Sequence, residues 1–260
     1  MSDRHPLQGR TALVTGVSRR QGIGAAICRA LAQAGADICF THWQAYDETM
    51  PWGAERSGPQ EIQQELESLG VRVFSLEVDL AQADAPAKAI AAATVHLDNL
   101  AILVNNAAYS VADGWKKLNA QILDATYAVN LRATALLSIE FAHRYQGNCG
   151  RIINLTSGQS QGPMTGEIAY AATKGAVDAL TITLAAEVAE LGITVNAVDP
   201  GPSDTGWMTP EIRQQLLPRF PLGRMGQPED AARLVAFLAS DEAQWITGQV
   251  IHSTGGFLHA

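Results

Sequence analysis

Apolar residues recur along this chain in two rhythms. Short runs rich in β-branched residues, Leu13-Val14, Ile38-Cys39-Phe40, Val71-Arg72-Val73-Phe74, Ile102-Leu103-Val104, Ile152-Ile153-Asn154-Leu155, Ile193-Thr194-Val195 and Val250-Ile251, each have the length of a buried strand. Between them lie Ala- and Leu-rich segments whose apolar residues return every three or four positions. The clearest, Val177, Leu180, Leu184, Val188 and Leu191, is the stripe of a helix packed on one face. Strands apolar on both faces, alternating with helices, predict a doubly wound α/β fold: a parallel sheet of about seven strands covered on both sides by helices and joined by right-handed crossovers.

Glycine and proline occur as single punctuation marks, so residues 1–260 read as a single domain. Two stretches are expected to be irregular. His42 to Pro59 holds three aromatics, and Pro200 to Pro228 reads as a lid over a substrate site. At 260 residues, 47% hydrophobic and 17% charged, the chain can bury a sizeable core. A formal charge of −8 argues against nucleic acid and anionic membranes and leaves small molecules as the expected partners. The start at Met1 lacks the apolar core of a leader, and no run approaches a membrane span, so the cytoplasm is expected. Cys28, Cys39 and Cys149 form no CxxC pair, and the six histidines, from His5 to His259, have no metal-ligand spacing, so no metal is expected.

The first strand runs into Thr15-Gly16-Val17-Ser18-Arg19-Arg20-Gln21-Gly22-Ile23-Gly24 and then a helix with Ile27, Ala30, Leu31 and Ala34 on one face. Such a turn cradles phosphate: glycine admits close approach, and the unpaired amides of the helix start point at the charge. It is only part of a G-x-G-x-x-G pattern, since Ile27 holds the third position. After the second strand, Thr41-His42-Trp43 supplies no acid for an adenosine ribose, and Arg19 and Arg20 suit a 2′-phosphate, which favours NADP(H) over NAD(H).

Tyr170 and Lys174 stand four apart at the start of the long helix, on one face. A phenol titrates near ~10, and lowering that by three units takes about 4 kcal/mol. A neighbouring ammonium would supply much of it, while the protonated phenol can donate to a carbonyl oxygen becoming an alkoxide. Ser157, at the carboxyl end of the fifth predicted strand, could hold that oxygen.

Together, Thr15-Gly16, Gly22-Ile23-Gly24, Asn105-Asn106-Ala107, Ser157, Tyr170, Lys174 and Pro200-Gly201 resemble the short-chain dehydrogenase/reductase family in order and near-spacing. Its last third, through Pro228-Glu229-Asp230 and Trp245-Ile246-Thr247-Gly248-Gln249, is most similar to the 3-oxoacyl-carrier-protein reductase branch. The resemblance implies a Rossmann-type fold and hydride transfer between nicotinamide and a carbonyl or secondary alcohol, such as a 3-oxoacyl thioester or small ketone. It implies Tyr170 as general acid/base, Lys174 on the nicotinamide ribose, Ser157 on the carbonyl, and Asn130 holding a relay water. On the cofactor it implies Asp79 at adenine, Asn105 near the adenosine ribose, and Thr205 at the carboxamide or pyrophosphate. Each of these has a plain structural use as well: Asp79 as a helix cap, Asn105 as a strand terminator, Asn130 as a buried amide. A homotetramer is also implied, with Phe257 and Leu258 suited to an interface. The chain departs from the family pattern in having five residues between Gly16 and Gly22 instead of three, and Ala108 for the last glycine after Asn105-Asn106.

Two other classes compete. Gly158-Gln159-Ser160-Gln161-Gly162 is a literal G-x-S-x-G with Asp199 and His252 downstream, although Pro163 and Gly166 delay the helix that a hydrolase elbow needs at once. A non-catalytic NADP-binding sensor or scaffold would share the fold but not need Asn130, Ser157, Tyr170 and Lys174. Met164, Glu167, Trp207 and Met208 are candidate pocket walls.

Overall fold

The structure is a computed structural model and describes residues 5–258; the start of the chain read for a leader, and His259, lie outside them. One sheet of seven parallel strands runs through it: β1 (Thr11–Val14), β2 (Asp37–His42), β3 (Val73–Glu77), β4 (Leu100–Asn105), β5 (Gly150–Leu155), β6 (Ile193–Asp199) and β7 (Val250–His252), in the order β3-β2-β1-β4-β5-β6-β7. All seven expected strands are present, with β3 starting at Val73, two residues later than the apolar run.

Strand period decides the layers. Consecutive side chains leave opposite faces, so Ala12 and Val14 of β1 join one core and Leu13 the other. The first core is closed by α1 (Ile23–Gln33), α3 (Gly58–Glu67) and α10 (Pro228–Ala239), through Ile27, Leu31, Ile62, Leu66, Val235 and Leu238. The second is closed by α4 (Ala85–His96), α7 (Thr134–Arg144) and α8 (Ile168–Glu187), through Ile90, Leu137, Phe141 and Leu184. Each of these side chains is fully or almost fully buried, worth roughly 1.5–3 kcal/mol apiece. The chain winds outward from β1 to β3 and returns to place β4 beside β1, so the crevice opens at the carboxyl ends of β1 and β4.

Three expectations need correction. The helical stripe ends a turn early: α8 stops at Glu187, and Leu191, on the tight turn Ala189–Leu191, is 44% exposed because Gly192 reverses the chain there with a φ of +68°. The two stretches taken as irregular carry short helices, α2 (Gln44–Glu48) in the first and α9 (Pro210–Leu216) in the second, the latter started by Thr209, whose hydroxyl accepts from the Ile212 amide, and by Pro210. Phe257 is not an open interface residue: it is 8% exposed, with its ring 4.9 Å from that of Phe220. Among the described residues no helix is long and apolar enough to cross a membrane.

Candidate active site

The helix carrying Tyr170 is started from outside itself. Its first amides, of Ile168 and Ala169, donate to the two carboxylate oxygens of Asp113 at 2.8 Å each. Asp113 lies 55 residues upstream, is 4% exposed, and also accepts from its neighbour Gly114. Burial alone would raise its carboxyl, but the amides of Ala169, Ile168 and Gly114 outweigh that and hold it below the ordinary aspartate value. Tyr170 then falls in the first turn of α8 and Lys174 one turn on. The Lys174 ammonium lies 5.5 Å from the Tyr170 ring centre and donates to the carbonyl of Leu155, the last residue of β5, at 2.6 Å. Ser157, two residues beyond β5, is near enough to the Tyr170 phenol to bear on its titration.

Burial pushes the phenol well above its ordinary value, the Glu167 carboxylate adds to the push, and Ser157 opposes it. Burial brings Lys174, 3% exposed, down to about 8, against the attraction of Asp178. The expectation that the ammonium ionises the phenol is thereby corrected. In this low-dielectric corner the lysine charge is itself disfavoured, and Tyr170 stays protonated at neutral pH, the state that donates a proton.

Asn130 lies in a widened, π-helical turn (Ala128–Ala133) and is fully buried. Its amide nitrogen donates to the Tyr109 carbonyl at 3.0 Å and to the Thr173 hydroxyl at 3.1 Å, and its oxygen accepts from the Tyr109 amide at 2.7 Å. It brackets the loop after β4 against α8, one residue from Lys174, without touching that lysine.

At the other side of the crevice, the Thr15 hydroxyl accepts from the amides of Asn106 and Ala107 at 3.0 Å each, tying the glycine turn to the end of β4. Gly16 has a φ of +74°, and a Cβ there would stand 2.6 Å from the Ala107 Cα; a Cβ on Gly24 would stand 2.7 Å from the Asn106 amide nitrogen. Both glycines serve close approach. Ser18 accepts from the Trp43 amide at 3.4 Å. Gly22, at the N-cap of α1, leaves the helix start at Ile23 and Gly24 without a side-chain cap and without an acid in the first turn. Bare, uncapped amides beside glycine fit the phosphates of a dinucleotide.

The two arginines separate. The Arg20 side chain is 56% exposed and pairs with Glu61 of α3 at 2.6 Å and with Glu55, in the stretch after β2, at 3.4 Å. Arg19 instead crosses the crevice. Its guanidinium donates to the Thr205 carbonyl at 3.1 Å, approaches Asp47 at 3.6 Å and stacks 4.6 Å from the Trp52 ring centre. Thr205 thus meets the glycine turn through Arg19, and Gly201, at φ +61°, lets the chain after Pro200 pass against Thr254.

Asn105 is also corrected. Its amide donates to Asn154 at 2.8 Å and Ser138 at 3.1 Å, inside the layer between sheet and helices, so that side chain makes no crevice contact; Asn106 faces the glycine turn instead. Both Asp79 carboxylate oxygens are held locally, by the Ala81 amide and the Gln82 side chain, each at 2.9 Å. The hydrolase pattern fails on its serine. His252 Nδ1 lies 2.9 Å from the buried Asp199 carboxylate, but Ser160 is exposed and joins neither. Among the described residues no group of three His, Cys, Asp or Glu side chains could hold a metal ion. A polar cavity of about 890 Å³ flanks the glycine turn between Gln21, Arg29, Asp204 and Glu229, and none of Asn130, Ser157, Tyr170 and Lys174 lines it.

Sequence reasoning passed over Asp113 and Asp47, which carry no local signal, and met Trp52 only as one of the three aromatics of the stretch from His42 to Pro59. It also passed over Asp178, whose place four residues after Lys174 was a usable one.

A parallel sheet with its switch point at an uncapped glycine turn, beside a Ser-Tyr-Lys cluster, defines a dinucleotide-dependent oxidoreductase. A family model described as Enoyl-(Acyl carrier protein) reductase matches residues 16–258. The oxidoreductase YjdA of Bacillus subtilis is 51% identical, over 96% of this chain and 98% of that protein. The 3-oxoacyl-[acyl-carrier-protein] reductase FabG of Staphylococcus aureus is 35% identical, over 95% of this chain and 97% of its own length. Among solved structures, a blue fluorescent protein from a metagenomic library, in complex with NADPH, superposes with a TM-score of 0.87 at 33% identity, covering 97% of this chain and 99% of that one. The chain belongs to the short-chain dehydrogenase/reductase family, whose members bind a nicotinamide cofactor, and it is an oxidoreductase acting between CH–OH and carbonyl groups.

Proposed function

We propose that this protein is an NADP(H)-dependent carbonyl reductase, equally able in principle to oxidise a secondary alcohol, with a 3-oxoacyl thioester or small ketone as substrate. The observation that carries the reading is the convergence of three side chains: Ser157 just beyond β5, which bears on the Tyr170 phenol, and the Lys174 ammonium 5.5 Å from the Tyr170 ring centre. The bound nicotinamide supplies the hydride. The Ser157 hydroxyl holds the carbonyl oxygen, and Tyr170, kept protonated by burial, gives that oxygen its proton as it becomes an alkoxide. Lys174 spends one N–H on Leu155 and has two left for the hydroxyls of the nicotinamide ribose. Asn130 fixes the loop after β4 against α8.

NADP(H) is favoured by the lack of an acid at the end of β2, by Arg19 beside the crevice, and by the NADPH held in the similar solved structure. In this reading Arg19 exchanges Asp47 for a 2′-phosphate, a better bidentate partner. Asp79 serves the adenine end, and residues 200–228, hinged at Gly201, close over the substrate and exclude water. A cytoplasmic homotetramer is part of the proposal. It is supported by exposed apolar side chains on α6 (Ala120–Tyr127), α7 and α8: Leu123, Tyr127, Leu136, Ile139 and Ile182.

The test is oxidation of NADPH, followed by its absorbance, over a panel of aldehydes, ketones and 3-oxoacyl thioesters, with Tyr170→Phe alongside. Turnover by the wild type and none by Tyr170→Phe, with NADPH binding retained, is expected. Turnover by Tyr170→Phe would remove the phenol from its role.

A further inference from the structure

Tyr170, Lys174 and Asp178 lie on one stripe of α8 at steps of four, and the third has no part in the chemistry above. The Asp178 carboxylate grips the turn that carries Ser157 from both flanks. One oxygen accepts from the Thr156 hydroxyl at 2.5 Å and the other from the Gln159 amide. Gln159 also donates to the Thr156 hydroxyl oxygen at 3.3 Å, closing a three-membered ring of side chains around Ser157. The Thr156 hydroxyl lies 3.3 Å from the Lys174 carbonyl, so the ring rests directly on the turn of α8 that bears the lysine.

We propose that Asp178 is a positioning residue for carbonyl reduction: it sets the separation of Ser157 from Tyr170 and keeps a counter-charge beside Lys174. This rests on the roles given to Ser157, Tyr170 and Lys174 above. Two more distant groups act on Asp178 in opposite senses, Asp199 on β6 and His252 on β7. Burial raises the Asp178 carboxyl, Asp199 adds to this, and Thr156, Gln159 and His252 oppose it. Asp178 is in turn the charge that opposes the burial of Lys174. A backbone turn released by a few tenths of an ångström leaves ground-state binding intact but spoils the alignment needed only at the transition state.

The experiment compares wild type, Asp178→Asn, the exchange pair Gln159→Glu/Asp178→Asn, Thr156→Val and Tyr170→Phe, by steady-state reduction of one accepted ketone with NADPH and by thermal melting. Asp178→Asn is near-isosteric and is expected to lower kcat about tenfold or more with KM within about threefold. The exchange pair restores an amide–carboxylate contact with its partners swapped and is expected to recover most of the loss. Wild-type kcat in Asp178→Asn, a loss matched by a rise in KM, or no recovery in the pair would overturn the inference. If Asp178→Asn does not fold, Thr156→Val decides: a fall in kcat of about threefold or more supports the clamp, and an unchanged kcat refutes it. Activity in Tyr170→Phe would sink the proposed reaction itself, whereas an inactive Tyr170→Phe beside a fully active Asp178→Asn sinks only the role of Asp178.

Discussion

Replacing Asp113 by alanine removes the cap of the helix that presents the proton donor, and the structure sets the size of the effect. Ala169 is 1% exposed, so its amide, now at 2.8 Å from Asp113, would be left buried without an acceptor, a cost of about 1–3 kcal/mol. Ile168 is 40% exposed, so its amide can turn to water and the loss there is that of an ordinary N-cap, roughly 0.5–2 kcal/mol. The sum is about 1.5–5 kcal/mol, and at about 2–4 °C per kcal/mol for a domain of this size the melting temperature should fall by about 3–20 °C. Asp113→Asn keeps one acceptor and should lose about half as much. Because Tyr170 sits in the uncapped turn, kcat for ketone reduction should drop about tenfold or more in Asp113→Ala. The pH dependence gives a second handle. The Asp113 carboxyl lies below its ordinary value in the folded state, so its contribution is complete above the unfolded carboxylate range, near pH ~4, and is lost as pH falls through the depressed value. Wild type should therefore lose melting temperature in acid more steeply than Asp113→Ala. Circular-dichroism melts across pH test both points; a variant melting within about 2 °C of wild type at neutral pH would refute the capping argument.

Four further outcomes are expected. With Lys174 brought down to about 8 by burial, calorimetric affinity for NADPH should weaken as pH rises through about 8 and be flat in Lys174→Met, and a flat wild-type profile would separate the ammonium from cofactor binding. The same depressed value means that the folded protein carries the charge at a cost below about 8 and is relieved of it above, so Lys174→Met should melt higher than wild type at neutral pH. Gly16→Ala places a Cβ 2.6 Å from the Ala107 Cα at a φ of +74°; it should lower the melting temperature by several degrees and abolish NADPH binding, and unimpaired binding would show that the turn does not approach the phosphates. Arg19→Gln should alter Trp52 fluorescence and reduce the preference for NADPH over NADH about tenfold or more, and an unchanged preference measured by kcat/KM would take Arg19 away from the 2′-phosphate.

Much of this was legible along the chain. Seven strands, the face of α1, and Tyr170 and Lys174 on one side of α8 follow from periods of two and 3.6, which neighbouring residues carry among themselves. What the periods could not carry is anything set by distant partners. Asp113 caps α8 across 55 residues and Arg19 reaches Thr205 across 186, and no local pattern announces either pairing. The two asparagines at the end of β4 are adjacent in sequence, yet Asn105 turns into the layer and Asn106 toward the glycine turn, because successive side chains at a strand end leave opposite faces and the register of the sheet decides which is which. Spacing put an ammonium beside a phenol, and from spacing alone the phenol should ionise. Only the packed structure reverses the sign, because the free energy of a charge depends on how much water the rest of the fold has removed from around it, and that is a property of the assembled molecule rather than of four residues on a helix.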